Sequence, residues 1–219
     1  MELNRYIEHT LLRQDATKDE VTRLLDEAVE RSFLGVCINP CNVKFVRQYL
    51  NNTCKNNVKV VTVIGFPLGQ SSRGIKILET IDAIKNGADE IDMVINDGRL
   101  KDKDYDYVVD EIKSIKTACQ GKPLKVILET DLLNKDEIKI ACELCIKGGA
   151  DFVKTSTGFV KNGVGAKVED VALMYETVKD AGLQVKASGG IRDRETAIKM
   201  IEAGAVRLGT SSGVKIVQG

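Results

Sequence analysis

The chain has 219 residues, of which 43% are hydrophobic and 29% are charged. A chain of this length and composition can bury a core and is not typical of disordered proteins, so we expect one domain spanning residues 1–219. Lys and Arg total 32, and so do Asp and Glu, which leaves a formal net charge of zero and no overall field to hold nucleic acid or anionic lipid.

Short β-branched runs alternate with longer amphipathic segments from one end of the chain to the other. This alternation is typical of repeated βα units around a parallel sheet. The predicted strands, in chain order, are 6–9, 33–38, 58–64, 90–94, 124–129, 152–155, 184–188 and 206–209. The predicted helices include 18–31, 74–86, 105–118, 135–147, 167–181 and 194–203. Eight strands joined by helices predict a single-domain (β/α)8 TIM barrel of the α/β class.

Three junctions between a helix and the next strand share one pattern. Residues 87–92, 149–154 and 204–209 each begin with a Gly-Ala pair, in which the glycine ends a helix. The residues at the sixth position of these junctions are Asp92, Lys154 and Gly209. Because strand side chains alternate between the two faces of a sheet, Asp92 and Lys154 are predicted to point the same way.

The neighbours of these two residues indicate which way that is. Ile91 and Val153 are apolar and suit the helix layer, which turns Asp92 and Lys154 toward the barrel axis. The same alternation in the seventh strand sends Lys186 inward. Two lysines and an aspartate are therefore predicted to meet near the C-terminal mouth, where barrel active sites lie.

An inward lysine favours one kind of chemistry. Burial and a second nearby ammonium both drive a lysine amine toward its neutral, nucleophilic form, which forms an imine with a carbonyl substrate. The alternative is that Lys154 or Lys186 simply forms an ion pair with Asp92 or Glu129 in a solvated mouth. The spacing alone does not separate these two interpretations.

Histidine and cysteine counts argue against other chemistry. His9 is the one histidine, which argues against His-based metal centres and Ser-His-Asp triads, although His9 and Thr10 could contact substrate or cap a turn. Six irregularly spaced cysteines, Cys54 among them, are expected to be reduced, as in a cytoplasmic protein. Cys142 and Cys145 lie within a predicted helix without a second ligand pair, so we expect no metal and no cofactor. No apolar run approaches the roughly 20 residues that cross a bilayer, so no membrane partner is expected.

Glycine-rich turns follow the last two predicted strands. Gly189 and Gly190 end the seventh strand, and residues 209–213 end the eighth with two adjacent serines, Ser211 and Ser212. In barrels these two loops commonly hold phosphate through backbone N–H groups. The glycines could instead serve only tight turns, but two such loops at adjacent strand ends favour phosphate binding.

Several of these motifs resemble one enzyme family. The motifs are KTSTGF at 154–159, VKASGGI at 185–191, EIDMVIN at 90–96, VCINP at 36–40 and GTSS at 209–212. They are similar to those of the deoxyribose-phosphate aldolases, over about residues 6–212. The resemblance implies a metal-independent class I aldolase that reversibly splits 2-deoxy-D-ribose 5-phosphate into acetaldehyde and D-glyceraldehyde 3-phosphate.

The resemblance also implies roles for individual residues. Lys154 matches the lysine that forms the Schiff base, Lys186 the second lysine that lowers its pKa and helps to move protons, and Asp92 the proton-relay carboxylate. Cys37 matches a cysteine at the mouth, although a small buried apolar side chain is the alternative. The positions that match phosphate-binding residues are Gly158, Gly189, Gly190, Gly209, Ser211 and Ser212.

The chain departs from the family pattern in two places. Glu8 stands where the family usually has aspartate, which puts any role that needs the shorter carboxylate in doubt. The sequence closes at Gln218 and Gly219, so the terminal tyrosine that assists proton transfer in some members is not expected to contribute.

Two other functions stay open from the sequence. One is a different lysine aldolase, of the transaldolase or bisphosphate type, that takes a larger donor. The other is a non-catalytic barrel that binds a sugar phosphate as a sensor, against which the presence of Lys154, Lys186 and Asp92 argues. Exposed helix faces leave homo-oligomerisation open.

Overall fold

The computed structural model, which describes residues 2–53 and 57–219, is a closed barrel of eight parallel strands. The strands are β1 (Ile7–Leu11), β2 (Gly35–Ile38), β3 (Lys59–Ile64), β4 (Glu90–Val94), β5 (Leu124–Ile127), β6 (Phe152–Lys154), β7 (Gln184–Ser188) and β8 (Ala205–Thr210). Each strand pairs with its neighbours in the chain, and β8 closes the ring against β1. The predicted (β/α)8 barrel is therefore confirmed.

Helices surround the barrel. They are α1 (Lys18–Glu30), α2 (Val43–Asn52), α3 (Arg73–Lys85), α4 (Asp97–Lys101), α5 (Tyr105–Ala118), α6 (Lys135–Gly148), α7 (Val168–Val178), α8 (Arg194–Glu202) and α9 (Gly213–Gln218). All six predicted helices are present with small shifts at their ends, whereas α2, α4 and α9 were not predicted. The helices α4 and α9 are too short to show a clear helical period. No helix in the described ranges is long and apolar enough to span a bilayer.

Capping residues fix the ends of the helices. At α1 the Thr17 hydroxyl accepts a hydrogen bond from the Glu20 N–H, and the Glu20 carboxylate accepts one from the Thr17 N–H. Asn134 and Glu137 form the same capping box at α6. These reciprocal bonds satisfy N–H groups that a helix start otherwise leaves without partners. The helix α6 ends at Gly149, whose φ of 75° places it in the left-handed region, as the junction pattern predicts.

Two apolar clusters fill the fold. The larger one lies between the sheet and the helices and includes Ile91 and Val153, as the alternation predicts. The smaller one consists of Leu12, Cys37, Val61 and Val63, with Phe66 packed against it. Because Val60 belongs to the larger cluster and its neighbour Val61 to the smaller, the smaller cluster faces the barrel axis. We call it the inner apolar cluster. Cys54, predicted to be a reduced thiol, lies outside the described residues.

A fully buried ion pair joins α3 to α5 and to β4. Lys76 Nζ donates to Glu111 Oε2 at 2.8 Å and to the carbonyl oxygen of Val94 at 2.8 Å. Burial lowers the pKa of Lys76 and raises that of Glu111, since their mutual attraction offsets only part of the cost of leaving water. Val94 ends the strand that carries Asp92, so this pair supports the strand from outside the barrel.

We expect Lys76→Met to destabilise the protein by about 3–5 kcal/mol, because it leaves the Glu111 carboxylate buried without a partner. Urea unfolding measures the change. The double variant Lys76→Met/Glu111→Leu should recover most of the lost stability, since apolar side chains replace both charges. Lys85→Met, an exposed lysine on the same helix, is the control and should change stability by less than about 0.5 kcal/mol. A stable Lys76→Met variant would contradict this account of the ion pair.

Candidate active site

Six buried charged side chains occupy the barrel interior, and none is more than 3% exposed. We call them the charged cluster: Glu8, Glu90, Asp92, Lys125, Lys154 and Lys186. Three are acidic and three are basic, so their formal charges balance. Charged groups this deeply buried are tolerated only when they are paired and hydrogen-bonded.

Asp92 lies at the centre of the charged cluster. Its Oδ2 accepts from Lys154 Nζ at 2.8 Å and from Lys186 Nζ at 2.7 Å, and its Oδ1 accepts from Lys125 Nζ at 3.1 Å. Burial alone would raise the pKa of Asp92, but the three ammonium groups outweigh it and hold the pKa well below its usual range. The structure thus brings Asp92, Lys154 and Lys186 together, with the two lysines on one oxygen atom.

Glu8 holds Lys186 from the other side. The Glu8 carboxylate accepts from Lys186 Nζ, and its other oxygen lies 3.7 Å from Lys125 Nζ. Burial alone would lower the pKa of Lys186, but Asp92 and Glu8 outweigh it and the pKa is raised. The expectation that an inward lysine loses its charge is therefore wrong for Lys186, because two carboxylates surround it.

Gly209 leaves the space that Lys186 fills. A Cβ atom at Gly209 would lie 2.9 Å from Ser188 Cβ, closer than real Cβ contacts allow, and 3.2 Å from Lys186 Cε, which is tighter than most. Gly209 occupies the same junction position as Asp92 and Lys154, where a side chain would enter the barrel. The absence of a side chain at Gly209 on β8 therefore leaves room for the Lys186 side chain.

A cavity of about 470 Å³ lies above the charged cluster at the C-terminal mouth. Lys154 is the member of the charged cluster that lines it. The other predicted site residues that line it are Gly158, Gly189, Gly190, Gly209 and Ser211. The cavity therefore places one buried amine beneath several glycine- and serine-containing loops.

Four predicted site residues do not line this cavity. Asp92 and Lys186 are fully buried beside Lys154. Cys37 is also fully buried, in the inner apolar cluster, and burial raises the pKa of its thiol. Cys37 does not line this cavity, and its packing favours the alternative of a small apolar side chain. Ser212 lines a neighbouring open depression, and its N–H donates to Thr210 Oγ1 at 2.9 Å.

The loops after β6 and β7 pack backbone against backbone. Gly189 and Gly190 have φ values of 84° and 75°, and a Cβ at Gly190 would lie 2.4 Å from the Val164 carbonyl oxygen. The Ala166 N–H donates to the Gly189 carbonyl oxygen at 3.0 Å. These glycines are needed for both the left-handed turn and the close approach.

Several residues near the site were not predicted from the sequence. Lys125 and Glu90 were not singled out, although Lys125 has the same alternation in β5 as Lys186 has in β7. Arg192 follows the Gly189-Gly190 turn and lines the cavity, which no periodic pattern could show. His9, a predicted candidate for substrate contact, is buried facing α1 instead, where its Nε2 lies 2.7 Å from Glu27 Oε2.

Comparisons with known proteins agree on one family. The sequence profile described as DeoC/LacD family aldolase matches residues 5–219. The chain is 55% identical to the deoxyribose-phosphate aldolase of Finegoldia magna over 219 residues, covering all of both chains. It is 55% identical to that of Enterococcus faecalis over 221 residues, covering 100% of this chain and 97% of that one.

Solved structures give the same result. A putative deoxyribose-phosphate aldolase from Coccidioides immitis superposes with a TM-score of 0.95 at 44% identity, over 99% of this chain and 85% of that one. A tetrameric deoxyribose phosphate aldolase from Aeropyrum pernix gives a TM-score of 0.90 at 32% identity, over 99% and 89% of the two chains. With a closed barrel, an interior of paired lysines and carboxylates, and this similarity over its whole length, the chain belongs to the DeoC/LacD family of aldolases.

Proposed function

We propose that this protein is a deoxyribose-phosphate aldolase that reversibly cleaves 2-deoxy-D-ribose 5-phosphate into acetaldehyde and D-glyceraldehyde 3-phosphate through a Schiff base on Lys154. The observation that carries the proposal is the position of Lys154 Nζ. It lies at the floor of the cavity and shares Asp92 Oδ2 with the fully buried Lys186. The relatives from Finegoldia magna and Enterococcus faecalis are named deoxyribose-phosphate aldolases, which supports the same substrate for this protein.

The shared carboxylate supports imine chemistry on Lys154. Lys154 is the lysine of the charged cluster that lines the cavity, where its amine can attack a carbonyl carbon, and the charged Lys186 lies beside it on the same Asp92 oxygen. Attack on the aldehyde carbon of the open-chain sugar gives a carbinolamine, which loses water to form a protonated imine. That imine restores a positive charge beside Asp92 Oδ2, so Asp92 stabilises it electrostatically.

Carbon–carbon cleavage then uses the imine as an electron sink. When the substrate's C3 hydroxyl loses its proton, the C2–C3 bond breaks and its electron pair enters the iminium, giving an enamine and free glyceraldehyde 3-phosphate. Protonation of the enamine carbon and hydrolysis release acetaldehyde and regenerate the Lys154 amine. We assign proton movement near Lys154 to Asp92 and Lys186, which are hydrogen-bonded to each other at 2.7 Å.

The apolar side of the site favours a two-carbon donor. Leu12 lines the cavity and belongs to the inner apolar cluster together with Cys37, Val61 and Val63. An apolar wall suits the methyl group of acetaldehyde, whereas the hydroxyl and phosphate of dihydroxyacetone phosphate would lose hydrogen bonds there. This argues against the alternative of an aldolase with a larger donor.

Other residues that line the cavity suit the phosphate group. In the described part of the chain, the backbone N–H groups of Gly190 and Ser211 have no protein acceptor. Arg192 lines the same cavity and adds a positive charge. Free backbone donors near a cation make a site for a phosphate dianion.

Lys154→Arg should abolish turnover and leave the fold intact, because a guanidinium keeps the positive charge but forms no imine. Incubation with acetaldehyde and borohydride, followed by intact mass and peptide mapping, measures the reaction. The wild type should carry one two-carbon adduct on Lys154, and the variant none. Lys161→Arg, another lysine in the same loop region, is the control and should be trapped like the wild type. An adduct on a different lysine would overturn the assignment of the nucleophile.

Ser211→Asp should raise KM for 2-deoxyribose 5-phosphate by more than about tenfold, because it sets a carboxylate against the phosphate. The KM for unphosphorylated 2-deoxyribose should change by less than about threefold, since that substrate lacks the second charge. Ser211→Asn is the matched control, because asparagine has nearly the same shape as aspartate but no charge. Equal losses on both sugars in the Asp variant would contradict a phosphate site at this loop.

Lys186→Met should lower kcat for 2-deoxyribose 5-phosphate by about a hundredfold, because it removes a proton carrier from beside Lys154 and leaves Asp92 Oδ2 to Lys154 alone. Steady-state kinetics measure the change, and circular dichroism checks that the variant folds. An unchanged kcat in a folded variant would show that Lys186 takes no part in proton movement.

A further inference from the structure

One buried carboxylate near the cavity lies outside the charged cluster. Glu129 follows β5, and its backbone adopts the left-handed conformation with φ 54° and ψ 64°, which is unusual for a residue other than glycine. Its side chain is only 3% exposed. A strained backbone and a buried acid both cost stability, and such features cluster at functional sites.

Within residues 2–53 and 57–219, the carboxylate of Glu129 accepts hydrogen bonds from a single residue, which lies in another loop. Each oxygen accepts from the Thr157 N–H at 3.2 Å, and one also accepts from the Thr157 hydroxyl. Thr157 Oγ1 in turn accepts from the Phe159 N–H at 3.1 Å. Glu129 therefore fixes the turn 156–159, in which Gly158 has a φ of 82°.

This turn forms one wall of the cavity. Thr157, Gly158 and Phe159 all line it, together with Lys154 and the glycine turn after β7. Phe159 also packs edge-to-face against Phe66, with ring centroids 5.1 Å apart. A shift of the turn would change the shape of the cavity on the side of the phosphate loops.

The nucleophile is held by separate interactions. The Lys154 carbonyl oxygen accepts from the Leu128 N–H at 2.9 Å, and the Thr155 carbonyl oxygen accepts from the Thr130 N–H at 2.9 Å. Thr155 Oγ1 also donates to the Ser188 carbonyl oxygen at 3.0 Å. These hydrogen bonds do not involve the Glu129 side chain. The turn 156–159 can therefore loosen while Lys154 stays in place.

A second acid lies close to Glu129. Asp97 lines an adjoining cavity of about 260 Å³ together with Glu129, and its Oδ1 is buried without a hydrogen-bond partner among the described residues. Burial and then the charge of Glu129 raise the pKa of Asp97 to about 7. Burial raises the pKa of Glu129 as well, but there the hydrogen bonds from Thr157 oppose the shift.

We propose that Glu129 is a positioning residue for the substrate phosphate, which acts by holding the turn 156–159 through Thr157. The inference rests on the proposed function, since it assigns the phosphate of that substrate to this side of the cavity. It predicts a loss of phosphate-dependent binding without a comparable loss of chemistry.

The test is Glu129→Gln, assayed with 2-deoxyribose 5-phosphate and with unphosphorylated 2-deoxyribose. Glutamine has the same shape but no negative charge, so the hydrogen bonds that it accepts from the Thr157 N–H and hydroxyl are weaker than those of the carboxylate. We expect KM for the phosphorylated sugar to rise about tenfold, kcat to stay within about threefold, and KM for the unphosphorylated sugar to stay unchanged.

Asp151→Asn is the control. Its carboxylate also accepts from a backbone N–H of another segment, that of Leu124 at 2.7 Å, but Leu124 begins β5 at the end of the barrel away from the cavity. This variant should leave the ratio of the two KM values unchanged. A similar rise in both variants would mean that general loosening of the barrel is responsible and would overturn the proposal.

A double-mutant cycle with Thr157→Val tests the route of the effect. If Glu129 acts through Thr157, the double variant should be no worse than the more affected single variant. Additive effects, or equal losses on both sugars, would overturn the proposal. If Glu129→Gln does not fold, Thr157→Val alone decides, and an unchanged KM ratio in that variant would overturn it.

Trapping with acetaldehyde and borohydride separates this proposal from the proposed function. Acetaldehyde carries no phosphate, so both the wild type and Glu129→Gln should give the adduct on Lys154. A wild type that is not trapped would overturn the Schiff-base function itself. An adduct in both proteins with an unchanged KM ratio would overturn only the role of Glu129.

Discussion

The carboxylate of Asp92 is the interaction on which the barrel interior depends. Its two oxygens accept from three buried lysines, and without it the interior would hold three ammonium groups against two glutamates. An unpaired charge at such depth costs several kcal/mol. Glu8 is the second carboxylate that pairs with Lys186. Its side chain, which is one methylene longer than that of aspartate, reaches from β1 to Lys186 and toward Lys125. A glutamate at position 8 can therefore pair with Lys186. An aspartate there would need its backbone to lie closer to Lys186 to make the same ion pair.

The balance of this cluster explains why one lysine differs from the other two. Lys125 and Lys186 are fully enclosed and surrounded by carboxylates, and the pKa of each is raised although burial alone would lower it. Lys154 ends its strand and reaches the cavity, with Asp92 as its ion-pair partner. The fold thus combines two enclosed lysines that are kept charged with one lysine that reaches the cavity.

Alternation along the strands made much of this arrangement predictable from the sequence. The inward direction of Asp92, Lys154 and Lys186 follows from apolar neighbours on each strand, and all eight strands were located by their β-branched runs. Other features depend on contacts between distant segments and leave no local pattern. The pairing of Lys186 with Glu8 joins residues 178 positions apart, and the burial of Cys37 depends on packing across the barrel. The left-handed backbone at Glu129 is equally hidden, since no glycine or asparagine marks it.

Interactions on both faces of the sheet hold the site in place, and they differ in kind. Inside the barrel, charged groups neutralise one another, and the inner apolar cluster fills the space beside them. Outside, the pair of Lys76 and Glu111 binds the end of β4, so the strand that carries Asp92 is fixed by one ion pair from the helix layer and by three lysines from the axis. At the mouth, Glu129 holds the turn after Lys154 from the neighbouring loop. Burying each of these charges lowers stability by itself. Ion pairs and hydrogen bonds to residues of other elements offset that loss. The geometry around Lys154 is therefore a property of the whole closed barrel, which a single βα unit could not supply.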